Sequence, residues 1–123
     1  MNRLRNLLAA LMVALVIISC GDGDDVAPVV NITSPSANST FAVTDTILLT
    51  GTVTEDTKLE TVVVTSDLGL DVNLTPLDSD TSHVVNANIT LDAMTTAGAY
   101  TITVTATDEE GNAGSDSVDI TVQ

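Results

Sequence analysis

Gly98-Ala99-Tyr100-Thr101-Ile102-Thr103-Val104-Thr105-Ala106-Thr107-Asp108-Glu109-Glu110-Gly111-Asn112 carries the clearest strand and turn signals in the chain. Tyr100, Ile102, Val104 and Ala106 alternate with four threonines. That is the period-two pattern of a strand with one buried face. Asp108-Glu109-Glu110-Gly111 then fits a type I turn with glycine in the left-handed position. Val118, Ile120 and Val122 repeat the alternation on a final strand. The expected unit is an antiparallel hairpin.

The same pattern recurs upstream. Val85, Ala87, Ile89 and Leu91 share one face of a strand, and Ile47, Leu49, Gly51 and Val53 share a face of another, with Leu48 out of phase. Val26 to Ser34 predicts a first strand after Pro28, with Val30 and Ile32 on one face. Leu68, Leu70, Val72 and Leu74 predict a further half-buried strand. In Leu59 to Ser66 the run Val62-Val63-Val64 is too short and apolar to fix a phase. Ser34-Pro35-Ser36-Ala37-Asn38 is turn material, and Thr40 to Val43 reads as a short continuation. Glu55-Asp56-Thr57-Lys58 and Thr75 to Thr81 read as a turn and a polar loop. Asp92 to Gly98 reads as a crossover with a helical turn at Ala93-Met94. About seven to eight short strands with regular turn signals, in a chain with twenty threonines, predict an all-β, two-sheet antiparallel β-sandwich.

Ahead of this body stands a different kind of segment. Arg3 and Arg5 precede an unbroken apolar run from Leu7 to Ile18, the layout of a secretory signal. Twelve helical residues span roughly 18 Å, short of the ~30 Å hydrocarbon core, so a permanent transmembrane helix is not expected. Ile17-Ile18-Ser19-Cys20 resembles a bacterial lipobox. The resemblance implies cleavage before Cys20, a diacylglyceryl group on its thiol and an acylated new amino terminus. Two or more acyl chains hold a protein stably where one does not, and the chain's only cysteine has no intramolecular disulfide partner. Gly21-Asp22-Gly23-Asp24-Asp25 reads as a flexible acidic tether, and it also resembles the acidic export signal of Bacteroidota surface lipoproteins. The expected organisation is a signal peptide over 1–19, a lipidated cysteine and tether over 20–27, and a sandwich over 28–123. The expected location is the cell envelope, as an outer-membrane lipoprotein either displayed at the surface or facing the periplasm.

Charge narrows the partners. Removing residues 1–19 leaves 104 residues, one domain's worth, with seventeen acids against Lys58 alone, a net charge of −16. Nucleic acid is excluded as a partner because phosphate binding needs a basic patch. Phe41 and Tyr100 are the only aromatics, so a sugar-stacking platform has little to build on.

The segment Gly98 to Val122 resembles bacterial Ig-like and cadherin-like domains, with Tyr100 in the place of the tyrosine corner. Short Bacteroidota lipoproteins share the layout. Two hallmarks are missing: a Cys…Trp…Cys set, and a D-x-D or D-x-N-D-N box. The resemblance implies that Glu55 and Asp56, with Asp108, Glu109, Glu110 and Asn112 of the last hairpin, gather at one end of the sandwich. Cadherin-like domains hold calcium there, which makes Glu55, Asp56, Asp108, Glu110 and Asn112 candidate Ca²⁺ ligands. Calcium takes six to eight oxygens, mostly carboxylate and carbonyl. The plain alternative is solvated turn residues. Eight steps from Cys20 to Pro28 reach at most ~28 Å, so this end is expected near the bilayer, with Gln123 and the Asp92–Gly98 crossover pointing away.

Other candidates are weaker. His83, the only histidine, has Asp78 and Asp80 nearby and too few ligands for zinc. Asp45-Thr46-Ile47 and Asp116-Ser117-Val118 resemble Bacteroidota O-glycosylation sites at Thr46 and Ser117. No G-x-S-x-G or S-x-x-K motif places a base beside a serine. The expected function is therefore a non-catalytic Ig-like binding or accessory module, meeting an envelope protein or glycan. The alternative is a calcium-binding, cadherin-like structural spacer.

Overall fold

The structure, a computed structural model, describes residues 23–123. The signal peptide, Cys20 and the first tether residues lie outside the described part. Within it the chain forms eight strands: β1 (Val29–Ser34), β2 (Ser39–Phe41), β3 (Thr46–Thr54), β4 (Leu59–Ser66), β5 (Leu70–Asn73), β6 (Ser82–Thr90), β7 (Gly98–Asp108) and β8 (Ala113–Val122). They make a three-stranded sheet, β1-β3-β6, facing a five-stranded sheet, β2-β8-β7-β4-β5. No helix of the described residues is long and apolar enough to cross a membrane.

The core follows from alternation. Ile47, Leu49, Val53, Val85 and Ile89 from one sheet meet Val62, Val64, Ile102, Val104, Ala106, Val118, Ile120 and Val122 from the other, all buried. At about 1.5–3 kcal/mol per fully buried aliphatic side chain, this facing set is the main favourable term. Pairing with β7 resolves the phase of β4, since Val62 and Val64 lie opposite Ala106 and Val104. Val63 is left on the outer face.

Gly51 has a specific task. A Cβ there would stand 2.6 Å from the Asn31 carbonyl oxygen and 3.1 Å from Ile32 Cα. The β1–β3 register shifts between Ile32 and Ser34, beside this close approach. β1 therefore lies against the one β3 position that carries no side chain.

Three expectations need correction. The strand expected across Leu68 to Leu74 is only Leu70–Asn73, and Val72 is exposed. Leu74 lies just past the strand's end, and its N–H bonds the Val62 carbonyl at 2.8 Å, one further step of the β4–β5 register. The 92–98 crossover contains a hydrogen-bonded turn, Thr95 N–H to Asp92 C=O at 2.9 Å, and no helix. The continuation after Pro35 is Ser39–Phe41, and it changes sheets to pair parallel with β8.

Candidate functional site

The last hairpin closes as its sequence implies. Asp108 N–H bonds Asn112 C=O at 3.0 Å, and Gly111 takes a left-handed φ of 91°. Asp108 itself departs from the solvated-turn alternative because it is fully buried. It continues the inward parity of Ile102, Val104 and Ala106. A buried carboxylate needs donors, and Asn112 supplies them. Its backbone N–H meets Asp108 Oδ1 at 2.8 Å and its Nδ2 meets Oδ2 at 2.6 Å. The same Nδ2 also donates to the Asp24 carbonyl at 2.7 Å. One amide thus joins the hairpin to a residue assigned to the tether.

Asp24 is the residue sequence reasoning missed. Its Oδ1 accepts the Val26 N–H at 2.9 Å and its Oδ2 accepts the Thr57 hydroxyl at 2.7 Å. These bonds, the Val26 N–H first and Thr57 second, hold its carboxyl below the ordinary value. Oxygens of Asp24, Asp108 and Glu110 come within 4.8 Å of one another, as do those of Asp24, Glu55 and Asp56. Four of the five residues expected to gather as calcium ligands are therefore drawn together around a sixth, Asp24. The fifth, Asn112, spends its nitrogen bridging Asp24 and Asp108.

The 55–58 turn contributes an uneven carboxylate. Glu55 Oε1 accepts the Asp56 and Thr57 N–H groups at 3.0 and 3.1 Å. Its Oε2 is buried without a hydrogen-bond partner among the described residues. Asp56 sits beside it, and its carboxyl is pushed up. The chief cause is the adjacent Glu55 carboxylate, which can take a hydrogen bond only from the protonated form of Asp56, followed by desolvation and the Asp24 charge. Lys58 pairs with Glu109 at the rim, and that bond raises its pKa. Its charge is thus committed to Glu109 rather than to the five clustered acids.

The remaining candidates stay apart. His83 is buried at the start of β6, where Nδ1 accepts the Asp78 N–H at 3.3 Å. Thr46 and Ser117 are exposed on different sheets, with hydroxyls against Thr90 at 3.3 Å and Thr103 at 3.0 Å. Tyr100 donates its hydroxyl to the Thr96 carbonyl at 2.6 Å, the bond that defines a tyrosine corner.

Comparison with known proteins agrees with this architecture. No curated protein matches the chain. Among solved structures, the chain is similar to the fibronectin(III)-like modules of CbhA from Clostridium thermocellum. That match has a TM-score of 0.55 and 22% identity, covering 76% of this chain and 94% of the module. At that identity the likeness speaks for the fold alone. A family model described as a bacterial Ig domain matches residues 28–104, more than half the chain. The protein belongs to the bacterial Ig domain family.

Proposed function

We propose that this protein is a lipid-anchored component of the cell envelope, displayed at the outer-membrane surface. There it acts as a non-catalytic binding or accessory module for an envelope protein or a glycan. The anchor rests on the sequence around Cys20, with its basic start, apolar run and lipobox-like Ile17-Ile18-Ser19.

The observation that carries the reading is the fastening of Asp24 to Asn112 and Thr57. Four peptide steps from Cys20 to Asp24 span roughly 14 Å at most. The Glu55/Asp108 end is thereby held close to the bilayer, and the opposite end is offered outward. A short reach suits a module that presents one surface to a partner. Crosslinking of intact envelopes followed by pulldown tests this. Wild type should retrieve a discrete partner and Cys20→Ala should lose it. Retrieval of nothing by wild type, or of the same partner by both, contradicts the reading.

A second reading, the calcium-binding spacer, is favoured by one observation. The buried, unpartnered Glu55 Oε2 belongs to one of two three-carboxylate groups that share Asp24. Asp24, Glu55, Asp56, Asp108 and Glu110 offer the hard oxygens that Ca²⁺ takes. An ion there would lock the tether to the sandwich. Calorimetric titration with Ca²⁺, with the melting temperature followed in parallel, tests it. A ligand bound only by the folded state raises that temperature. No heat and no shift at millimolar Ca²⁺ ends this reading.

A further inference from the structure

The two sheets meet along two seams, and only one is closed. On the β1/β8 side, Asp116 Oδ2 takes the Ile32 N–H at 2.9 Å. Pro28 presses its carbonyl against Gly114, and β2 crosses over to pair with β8. On the β5/β6 side the closure runs only halfway.

The ladder register identifies which backbone groups of β6 face outward. Glu55 N–H bonds Thr81 C=O and Leu91 N–H bonds Asp45 C=O, at opposite ends of one unbroken β3–β6 register. Odd-numbered residues of β6 therefore bond β3, and even-numbered ones point away. Ser82 and Val84 are covered by the preceding loop. Ser79 N–H bonds Ser82 C=O at 3.1 Å, and Asp78 Oδ2 takes the Val84 N–H at 2.6 Å. Among the described residues, the N–H and C=O groups of Asn86, Asn88 and Thr90 have no such partner.

An unpaired edge of this kind is a template for another extended backbone. Beside it lies an open cavity of about 160 Å³, where Leu68, Leu70, Ile89 and Leu91 share the walls with Thr90, Asp92 and Thr95. Cavities of about this size hold a benzene ring. A strand laid along Asn86–Thr90 would point the side chain opposite Ile89 inward, toward this cavity.

We propose that the open half of the β5/β6 seam is a strand-addition site. It takes an extended, cationic peptide segment of a partner protein, with one apolar side chain seated among Leu68, Leu70, Ile89 and Leu91. The cationic character follows from charge complementarity. Asp92 lines the cavity and the exposed Asp67 and Asp71 flank Leu68 and Leu70. The one base beyond residue 19, Lys58, is engaged with Glu109 at the opposite end. A second copy of this chain would bring like charges together. Backbone pairing gives affinity in such complexes, and the pocket gives selectivity. This proposal rests on the binding-module reading and names its surface.

The test uses the full chain in detergent and a fluorescent seven-residue peptide. The peptide has lysine at each end, leucine at the centre and threonine between. Anisotropy should report binding, and amide exchange should slow at Asn86, Asn88 and Thr90. Asn88→Pro removes an outward N–H without touching the β3 ladder, a position where proline is tolerated. It should weaken binding about tenfold, the equivalent of one to two hydrogen bonds. N-methylation of the peptide backbone should do the same with the protein unaltered, which guards against a misfolded variant. Aspartate in place of the peptide lysines should also abolish binding. No binding, or binding indifferent to N-methylation or to the peptide's charge, overturns the proposal. So does a dimer of the chain that Asn88→Pro dissociates. If Asn88→Pro still retrieves the envelope partner, the seam is the wrong surface while the module reading stands.

Discussion

Asn112→Ala isolates the bond between tether and sandwich. The substitution keeps the backbone N–H to Asp108 Oδ1 and removes both Nδ2 bonds, at 2.6 Å to Asp108 Oδ2 and 2.7 Å to the Asp24 carbonyl. A bond to a charged group contributes about 1.5–3 kcal/mol and a neutral one about 0.5–1.5 kcal/mol. Because Asp108 is fully buried, its Oδ2 has little water to turn to. The expected loss is about 2–4 kcal/mol. For a domain of ~100 residues each kcal/mol moves the melting point by about 4–8 °C, so a fall of about 8–32 °C is expected. Urea unfolding should show a lower midpoint at unchanged slope. Amide exchange at Val26, whose N–H bonds Asp24 Oδ1, should speed up before that of the strands does. A fall under about 2 °C would refute the reasoning, because water would then serve Asp108 as well as the amide does.

Gly51→Ala sets a methyl against the Asn31 carbonyl and Ile32 Cα. It should cost about 1–3 kcal/mol in urea unfolding, the usual range for overpacking. Tyr100→Phe deletes the bond to Thr96 C=O and should cost about 1 kcal/mol, with faster amide exchange confined to residues 92–98. The cluster's acids should show opposite pH signatures. Asp24 titrates below its ordinary 3.8, so it stabilises the fold fully above that value and stops doing so as pH falls through its folded pKa. Asp24→Asn should therefore lower the melting point at pH 7, and the gap should close in strong acid. Asp56 titrates above 3.8, so its ionised form opposes folding once pH exceeds its folded pKa. Asp56→Asn should raise the melting point at pH 7, with the gain vanishing below about pH 4.

Local pattern made much of this fold legible. The inward sets of β3, β6, β7 and β8 follow strict alternation, and the Asp108–Gly111 turn and Tyr100 corner lie where their residues imply. Asp108 was also legible, since even parity from Ile102 through Ala106 continues onto it. Reading it only as the opening of a turn hid its burial. Other features depend on contacts distant in sequence. The phase of Val62-Val63-Val64 is set by β7, and the sheet change of β2 by its pairing with Ile120 to Val122. Asp24 joins the carboxylates through Asn112, 88 positions away. The β5/β6 seam is likewise a product of which edges the loop at Asp78 and Ser79 happens to cover. No single strand's sequence carries that information.

We propose that a fatty thioether on Cys20 holds this sandwich to a membrane by its carboxylate-rich end. Intact-mass spectrometry of the protein extracted from its own envelope tests it most directly. The spectrum should show a chain beginning at Cys20 and carrying the mass of a diacylglyceryl group and an amide-linked acyl chain, and Cys20→Ala should be released from the membrane. A chain with an unmodified Cys20 thiol, recovered free of membrane, would contradict it.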